Sequence, residues 1–279
     1  SAKSTWSRWL TPPVAMGKTV QKAPGVDSKR RLWPCERSGG AKGFGPLLPG
    51  FVHLAWGDHD ALNAAAAQPD VAAILIEPVQ GEGGIRPLPD QCLKGLRDLC
   101  DTNGIHLILD EVQCGMGRTG KLFAHEWAGV TPDIMMVAKG IGGGFPLGAV
   151  LATEDAASGM TAGSHGSTYG GNPLACAVGG RVMDLVANDA FLADVNRKAG
   201  LFRQRLEALV ASHPDVFDSV TGVGLMLGIK CKVPNTDMIK RAKGKKAFNT
   251  MTMLSQTVYW STSLGLGHKE GLSMARTMM

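Results

Sequence analysis

Four uninterrupted apolar runs and four predicted helices divide the chain. The runs are Val71–Ile76, Leu107–Leu109, Ile134–Ala138 and Ala149–Ala152. Continuous apolar runs closed by turn residues predict strands covered on both faces, as in a parallel sheet. Residues 90–103 place Leu93, Leu96, Leu99 and Cys100 on one face and charges on the other, which predicts an amphipathic helix ended by Asn103-Gly104. A shorter helix is predicted over Ala61–Ala67, capped by Asp58 or Asp60. Asn172 as N-cap with Pro173 behind it starts a helix from Leu174 to about Asn188. That helix is nearly all apolar and is expected to be buried. A further helix is predicted at about 190–212 with Leu201, Leu206 and Leu209 inward, followed by one or two strands in 216–233. Residues 1–50 show no sustained period, and after Pro234 the pattern dissolves. Strand and helix alternate from 71 to 188, which predicts an α/β fold with a mostly parallel sheet and helices on both faces.

The 279 residues suffice for one large or two modest domains, and a 44% hydrophobic content supplies a core. No stretch of about 18 apolar residues is present, so no membrane partner is expected. The six cysteines (35, 92, 100, 114, 176 and 231) form no C-x-x-C pair. That argues against a metal site and a disulfide scaffold, and points to reduced thiols in a cytoplasmic enzyme. Charge is unevenly placed. Residues 1–50 hold nine basic and two acidic side chains, 51–234 thirteen and twenty, and 235–279 seven and two. Neither basic end has the periodicity of a nucleic-acid-binding helix, so no nucleic-acid partner is expected. Residues 1–31 lack the apolar stretch and cleavage site of a signal peptide, and a first residue of Ser admits a fragment.

Candidate chemistry concentrates in His106–Lys139. One predicted strand ends in Asp110-Glu111 and another in Lys139. In open α/β sheets the ligand site lies beyond the carboxyl ends of the strands. Gly115 to Lys121 fits the spacing of a triphosphate-binding loop, but residue 122 is Leu and supplies no hydroxyl for Mg²⁺. Gly115, Gly117 and Gly120 also fit a dinucleotide fingerprint, but Lys121–Val130 is a poor helix and no acidic strand end follows at the required distance. The third reading uses Asp110 and Lys139 together. Pyridoxal phosphate forms a Schiff base with a lysine amine and draws electrons through its protonated pyridine nitrogen, which a carboxylate keeps protonated. A lysine crowded among glycines can act as nucleophile and then as general base.

The segments EPVQGEGG (77–84), LDEVQCGMGRTG (109–120), MMVAKGIGGGFPLGA (135–149) and HGSTYGGNPLACAV (165–178) together resemble the class III pyridoxal-phosphate aminotransferases, most of all the acetylornithine branch. The resemblance covers about residues 42–234. It implies the large domain of the aspartate-aminotransferase-like fold (fold type I) over 42–188, incomplete at its N-terminal side, and the start of a small C-terminal domain over 189–234. Irregular segments are expected at 1–41 and 235–279. It implies transfer of an amino group from N-acetylornithine, or a similar ω-amino donor, to 2-oxoglutarate in arginine biosynthesis, by a homodimer. Lys139 would be the Schiff-base lysine, Asp110 the partner of the pyridine nitrogen, and Gln113 the neighbour of the phenolic oxygen. Glu77 would support Gln113, and Glu82 would be a gate carboxylate at the substrate. Thr168 would reach the phosphate in the neighbouring subunit.

Three family features are not found: an upstream Ser/Gly-Thr/Ala-Glu-Ala phosphate loop, an aromatic-His-Gly-Arg segment, and an arginine near Leu-Pro-Pro towards the C-terminus. A folded but inactive remnant is therefore the alternative reading. Ornithine, succinylornithine and 4-aminobutyrate stand as alternative donors.

Overall fold

A computed structural model describes residues 30–33, 50–81, 83–233, 251–254 and 257–261. Its first layer is a six-stranded sheet in the order β2-β1-β3-β6-β7-β8. The strands are β1 (Arg30–Trp33), β2 (Phe51–His53), β3 (Val71–Ile76), β6 (His106–Asp110), β7 (Ile134–Val137) and β8 (Ala149–Ala152). Every neighbouring pair is parallel except β7 with β8. The two intervening strands, β4 (Val79–Gln80) and β5 (Arg86–Pro87), form a separate antiparallel ribbon.

Helix α1 (His59–Ala66) is capped by Asp58, whose Oδ1 accepts from the Ala61 amide at 2.9 Å. Helix α2 (Asp90–Asn103) ends at Gly104 in the left-handed conformation, as its sequence predicts. Leu93, Leu96 and Cys100 of α2 meet Ile74 of β3 and Leu107 and Leu109 of β6 in the main core cluster. Burial holds the Cys100 thiol far from ionisation, its pKa pushed up to about 12. The short helix α3 (Glu154–Ala157) follows β8, and α4 (Pro173–Val186) is capped by Asn172 with Pro173 at its start.

Beyond α5 (Asp189–Ser212), β9 (Phe217–Val223) and β10 (Met226–Cys231) form an antiparallel hairpin. Its cluster of Phe217, Leu227 and Ile229 packs with Leu206 and Leu209 of α5.

Several expectations are corrected. Helix α4 is not enclosed: Ala175, Gly179 and Val186 are buried, while Leu174 is 61% and Leu185 50% exposed. Leu201 of α5 faces outward, and Val195 and Ala199 take the inward positions instead. Two segments read as irregular contribute strands. Arg30–Trp33 inserts between β2 and β3, and β11 (Met251–Leu254) and β12 (Thr257–Ser261) extend the hairpin to four strands in the order β11-β12-β10-β9. Hydrogen bonding to neighbours decides such short strands, not the local apolar pattern.

Candidate active site

Three adjacent parallel strands deliver the candidate residues to one edge. In register, Ile76 of β3 pairs with Leu109 of β6, and Asp110 of β6 with Met136 of β7. Glu77 therefore leaves β3 beside Asp110, and Lys139 emerges two residues past the end of β7. A parallel sheet puts all three at its carboxyl edge, where α/β folds hold ligands.

Lys139 is exposed and opens a 3-10 turn, Lys139–Gly142, with φ of 49°. A non-glycine residue in the left-handed region costs about 1–3 kcal/mol, and such strain gathers at functional sites. Among the described residues only Ile85, Met116 and Lys139 carry it. The first follows the 81–84 loop and the other two belong to the Asp110–Lys139 stretch. Helix α4 braces the turn: Gly179 lies where a Cβ would come within 2.7 Å of Leu147 Cδ2, and Val182 stands against Gly143.

The Asp110 carboxylate is half-buried, and its Oδ1 accepts from the Val112 amide at 2.9 Å. Burial raises its pKa above the ordinary carboxylate range. The Val112 hydrogen bond and the Lys139 charge pull the other way, and the neighbouring Glu111 charge adds to the rise.

Glu77 Oε2 accepts from the Gly81 amide at 3.1 Å. The missing side chain of Gly81 is filled by the Gln113 amide, which a Cβ there would overlap. Glu77 and Gln113 accordingly converge on one glycine. Thr168 is exposed in the loop before α4 and is not part of this cluster. That loop is ordered by Ser167, which accepts from the Gly170 amide at 2.9 Å. Glu82 lies outside the described residues.

Sequence reasoning placed Glu111 with Asp110, but the structure separates them. Glu111 is fully buried and accepts from the amides of Ala124 at 2.8 Å and His125 at 2.9 Å. A signal for this existed. Leu107 and Leu109 are buried while Ile108 and Asp110 are less so, and the same alternation carries Glu111 to the core side. Asn196 of α5 was also missed; its side chain donates to the Gly120 carbonyl at 2.9 Å and holds the glycine loop from outside. Among the described residues no group of His, Cys, Asp and Glu could hold a metal ion, and no helix is long and apolar enough to cross a membrane.

A lysine amine and a carboxylate at neighbouring strand ends, with an amide side chain seated in a glycine gap beside them, fit the amine-linking and ring-contacting groups that pyridoxal phosphate needs. Comparison with known proteins points to the same cofactor. The acetylornithine aminotransferase of Rhodobacter capsulatus is 68% identical over 201 residues, which is 72% of this chain and 51% of that protein. That of Mesorhizobium japonicum is 64% identical over 195 residues, 70% of this chain and 49% of that one. The chain spans about half the length of the curated relatives it matches. Among solved structures, N-acetylornithine aminotransferase from Stenotrophomonas maltophilia superposes with a TM-score of 0.76 at 32% identity, covering 91% of this chain and 65% of that one. Ornithine aminotransferase from Toxoplasma gondii gives 0.82 at 27% identity, covering 90% and 64%. With residues 35–260 matching the aminotransferase class-III family, the chain belongs to that family of pyridoxal-phosphate enzymes.

Proposed function

We propose that this chain carries the catalytic core of an enzyme that moves an amino group from N-acetylornithine to 2-oxoglutarate, in the cytoplasm and in the service of arginine synthesis. The observation that carries the proposal is the placing of Asp110 and Lys139 at the ends of the adjacent parallel strands β6 and β7, on one edge of the sheet. The acetylornithine aminotransferases among the relatives support this donor.

Lys139 would hold the cofactor through Nζ and, as a free amine, would be the base that takes the proton from the substrate's amino-bearing carbon and, as the resulting ammonium, the acid that gives it back. Asp110, with Oδ1 held by Val112, would keep a proton on the pyridine nitrogen through its carboxylate. Gln113 would donate to the phenolic oxygen, with Glu77 fixing the Gly81 backbone against which its amide rests. Bound there, pyridoxal phosphate supplies the electron sink that makes the carbon–hydrogen bond labile. Glu82 would answer the substrate.

Residues 42–188 would form the cofactor domain and 189–234 the start of a smaller one. A second copy would cover the exposed apolar side of α4, and Thr168, on the exposed loop leading into that helix, would reach the partner's phosphate site. Mixed dimers of Lys139→Ala and Thr168→Ala chains test this. Sharing in trans leaves one intact site per mixed dimer, so activity returns above both parents; no recovery refutes it.

The cofactor reading is tested by titrating the chain with pyridoxal phosphate. A visible absorption band that is lost in Lys139→Ala is expected. N-acetylornithine should bleach the band and 2-oxoglutarate restore it, more readily than ornithine, succinylornithine or 4-aminobutyrate does. A band that answers ornithine best would move the donor to the alternative that the ornithine aminotransferase structures favour. A band that answers no donor would leave a folded, inactive remnant.

A further inference from the structure

The Glu111 carboxylate has no part in the chemistry above, yet no other acidic side chain among the described residues is so completely buried. Its Oε2 accepts from the Ala124 amide at 2.8 Å, and its Oε1 from the His125 amide and the His125 ring Nδ1, each at 2.9 Å. The Cys114 thiol lies 3.5 Å from Oε2, and the Glu111 carbonyl accepts from the Gly115 amide at 2.9 Å. A buried charge is tolerated only where its oxygens are satisfied. Here the satisfaction comes from both ends of one loop, so a single carboxylate draws residues 111–115 and 124–125 together.

That loop carries the site. Asp110 is the residue before Glu111, and Gln113 sits within the closed segment. Met116, held at φ of 55°, packs onto the residue after Lys139: a Cβ on Gly140 would stand 2.9 Å from Met116 Cβ. The same loop therefore presents the carboxylate and the amide, and backs the lysine turn.

We propose that Glu111, together with His125, is a positioning residue for the cofactor: it fixes the loop that aims Gln113. This rests on the pyridoxal-phosphate reading of the site. With Gln at position 111 the shape is kept, but the amide nitrogen replaces one acceptor, so a backbone N–H at 124 or 125 meets a donor. The loop must then open at the point that sets Gln113.

The experiment compares the parent chain, Glu111→Gln, Gln113→Ala and the double variant at saturating pyridoxal phosphate. It reads the pH midpoint of the lysine-dependent visible band and the thermal unfolding midpoint. A hydrogen bond to the phenolic oxygen tunes the band midpoint, so Gln113→Ala shifts it by about half a pH unit or more. If Glu111 acts through Gln113, Glu111→Gln shifts the midpoint in the same direction and the double variant adds nothing. A lower unfolding midpoint with an unmoved band, or shifts that add in the double variant, would overturn the proposal. If Glu111→Gln yields no soluble protein, His125→Phe decides, since it removes the ring donor, keeps a ring against Phe123 and leaves both backbone donors. It should give a smaller shift of the same sign, and an unmoved band overturns the proposal. Failure of the cofactor reading looks different: the parent itself shows no lysine-dependent band, and this inference falls with it.

Discussion

Asp110 and Glu111 are consecutive carboxylates with different tasks, and the pleat of β6 divides them. Glu111 turns inward and is satisfied by backbone donors, while Asp110 stays at the open edge. Burial leaves Asp110 with a folded-state pKa above the ordinary carboxylate value. A raised folded pKa favours folding below the unfolded carboxylate pKa, and that contribution is lost as pH rises through the folded value. In the cofactor-free chain, Asp110→Asn removes the cost of burying the charge. Its unfolding temperature should exceed the parent's at about pH 8, and the two should converge as pH falls below the ordinary carboxylate range near about 4. Calorimetry at both ends of that range checks this, and a lower value for Asp110→Asn at the alkaline end would mean that attraction to Lys139 outweighs burial. The same change should slow the amino-donor half-reaction of an active enzyme built on this core by more than about tenfold, or ~1.4 kcal/mol. An amide holds no proton on the pyridine nitrogen. A rate within about threefold, ~0.6 kcal/mol, would remove Asp110 from that role. If Asp110→Asn raises stability as expected, the residue assigned to the pyridine nitrogen is one whose native identity costs stability.

Helix α4 separates what was legible in the chain from what was not. Its start was legible because Asn172 and Pro173 are local signals that act on their own backbone: Asn172 Oδ1 accepts from the Ala175 amide at 2.9 Å. Its environment was not, because apolar content says that a face is covered without saying by what. The face of Ala175, Gly179 and Val186 meets the chain's own lysine turn and glycine loop, whereas Leu174 and Leu185 point away. Strands β3, β6 and β7 were legible as apolar runs, and so were the Asp110 and Lys139 that end them. The role of Glu111 needed the period-two reading of β6, and Asn196 acts through a contact distant in sequence. Those depend on where loops return, which no local pattern contains. The exposed side of α4 makes its own prediction. Leu185→Arg should leave the stability of the isolated chain within about 0.5 kcal/mol, since the side chain is already half exposed. In the proposed homodimer it should weaken self-association by about 0.7–1.5 kcal/mol, the worth of burying the exposed half of a leucine, or roughly threefold to tenfold in Kd. Sedimentation across a concentration series reads both states, and an unshifted dimer would exclude α4 from the contact.

At the scale of the whole molecule, the six-stranded sheet and the hairpin sheet have separate cores, and the 111–125 loop lies between them. The hairpin turn docks on that loop: the Leu225 amide donates to the Arg118 carbonyl at 2.9 Å, and Met226 packs with Cys114, Val79 and Ile85. Asn196 reaches the same loop from α5, and Arg203 of α5 holds the Gly222 carbonyl in β9. The loop that presents Gln113 is therefore gripped by Glu111 from within and by the hairpin from outside. Gly224 is the closest point of the outer grip. It has φ of 60°, and a Cβ there would stand 2.5 Å from Thr119 Cα and 2.6 Å from the Arg118 carbonyl oxygen. Both obstacles are backbone, so no rotamer change relieves them. Gly224→Ala should cost about 1–3 kcal/mol, combining left-handed strain with overpacking. Because the hairpin keeps its own cluster of Phe217, Leu227 and Ile229 with α5, the damage should fall on the docking and not on the strands. Denaturant unfolding gives the size of the loss. Hydrogen exchange gives its place: the Leu225 amide should exchange faster while the β9–β10 ladder amides keep their protection relative to one another. An unchanged Leu225 amide, or uniform loss across the ladder, would show that the hairpin does not rest on the loop through this turn.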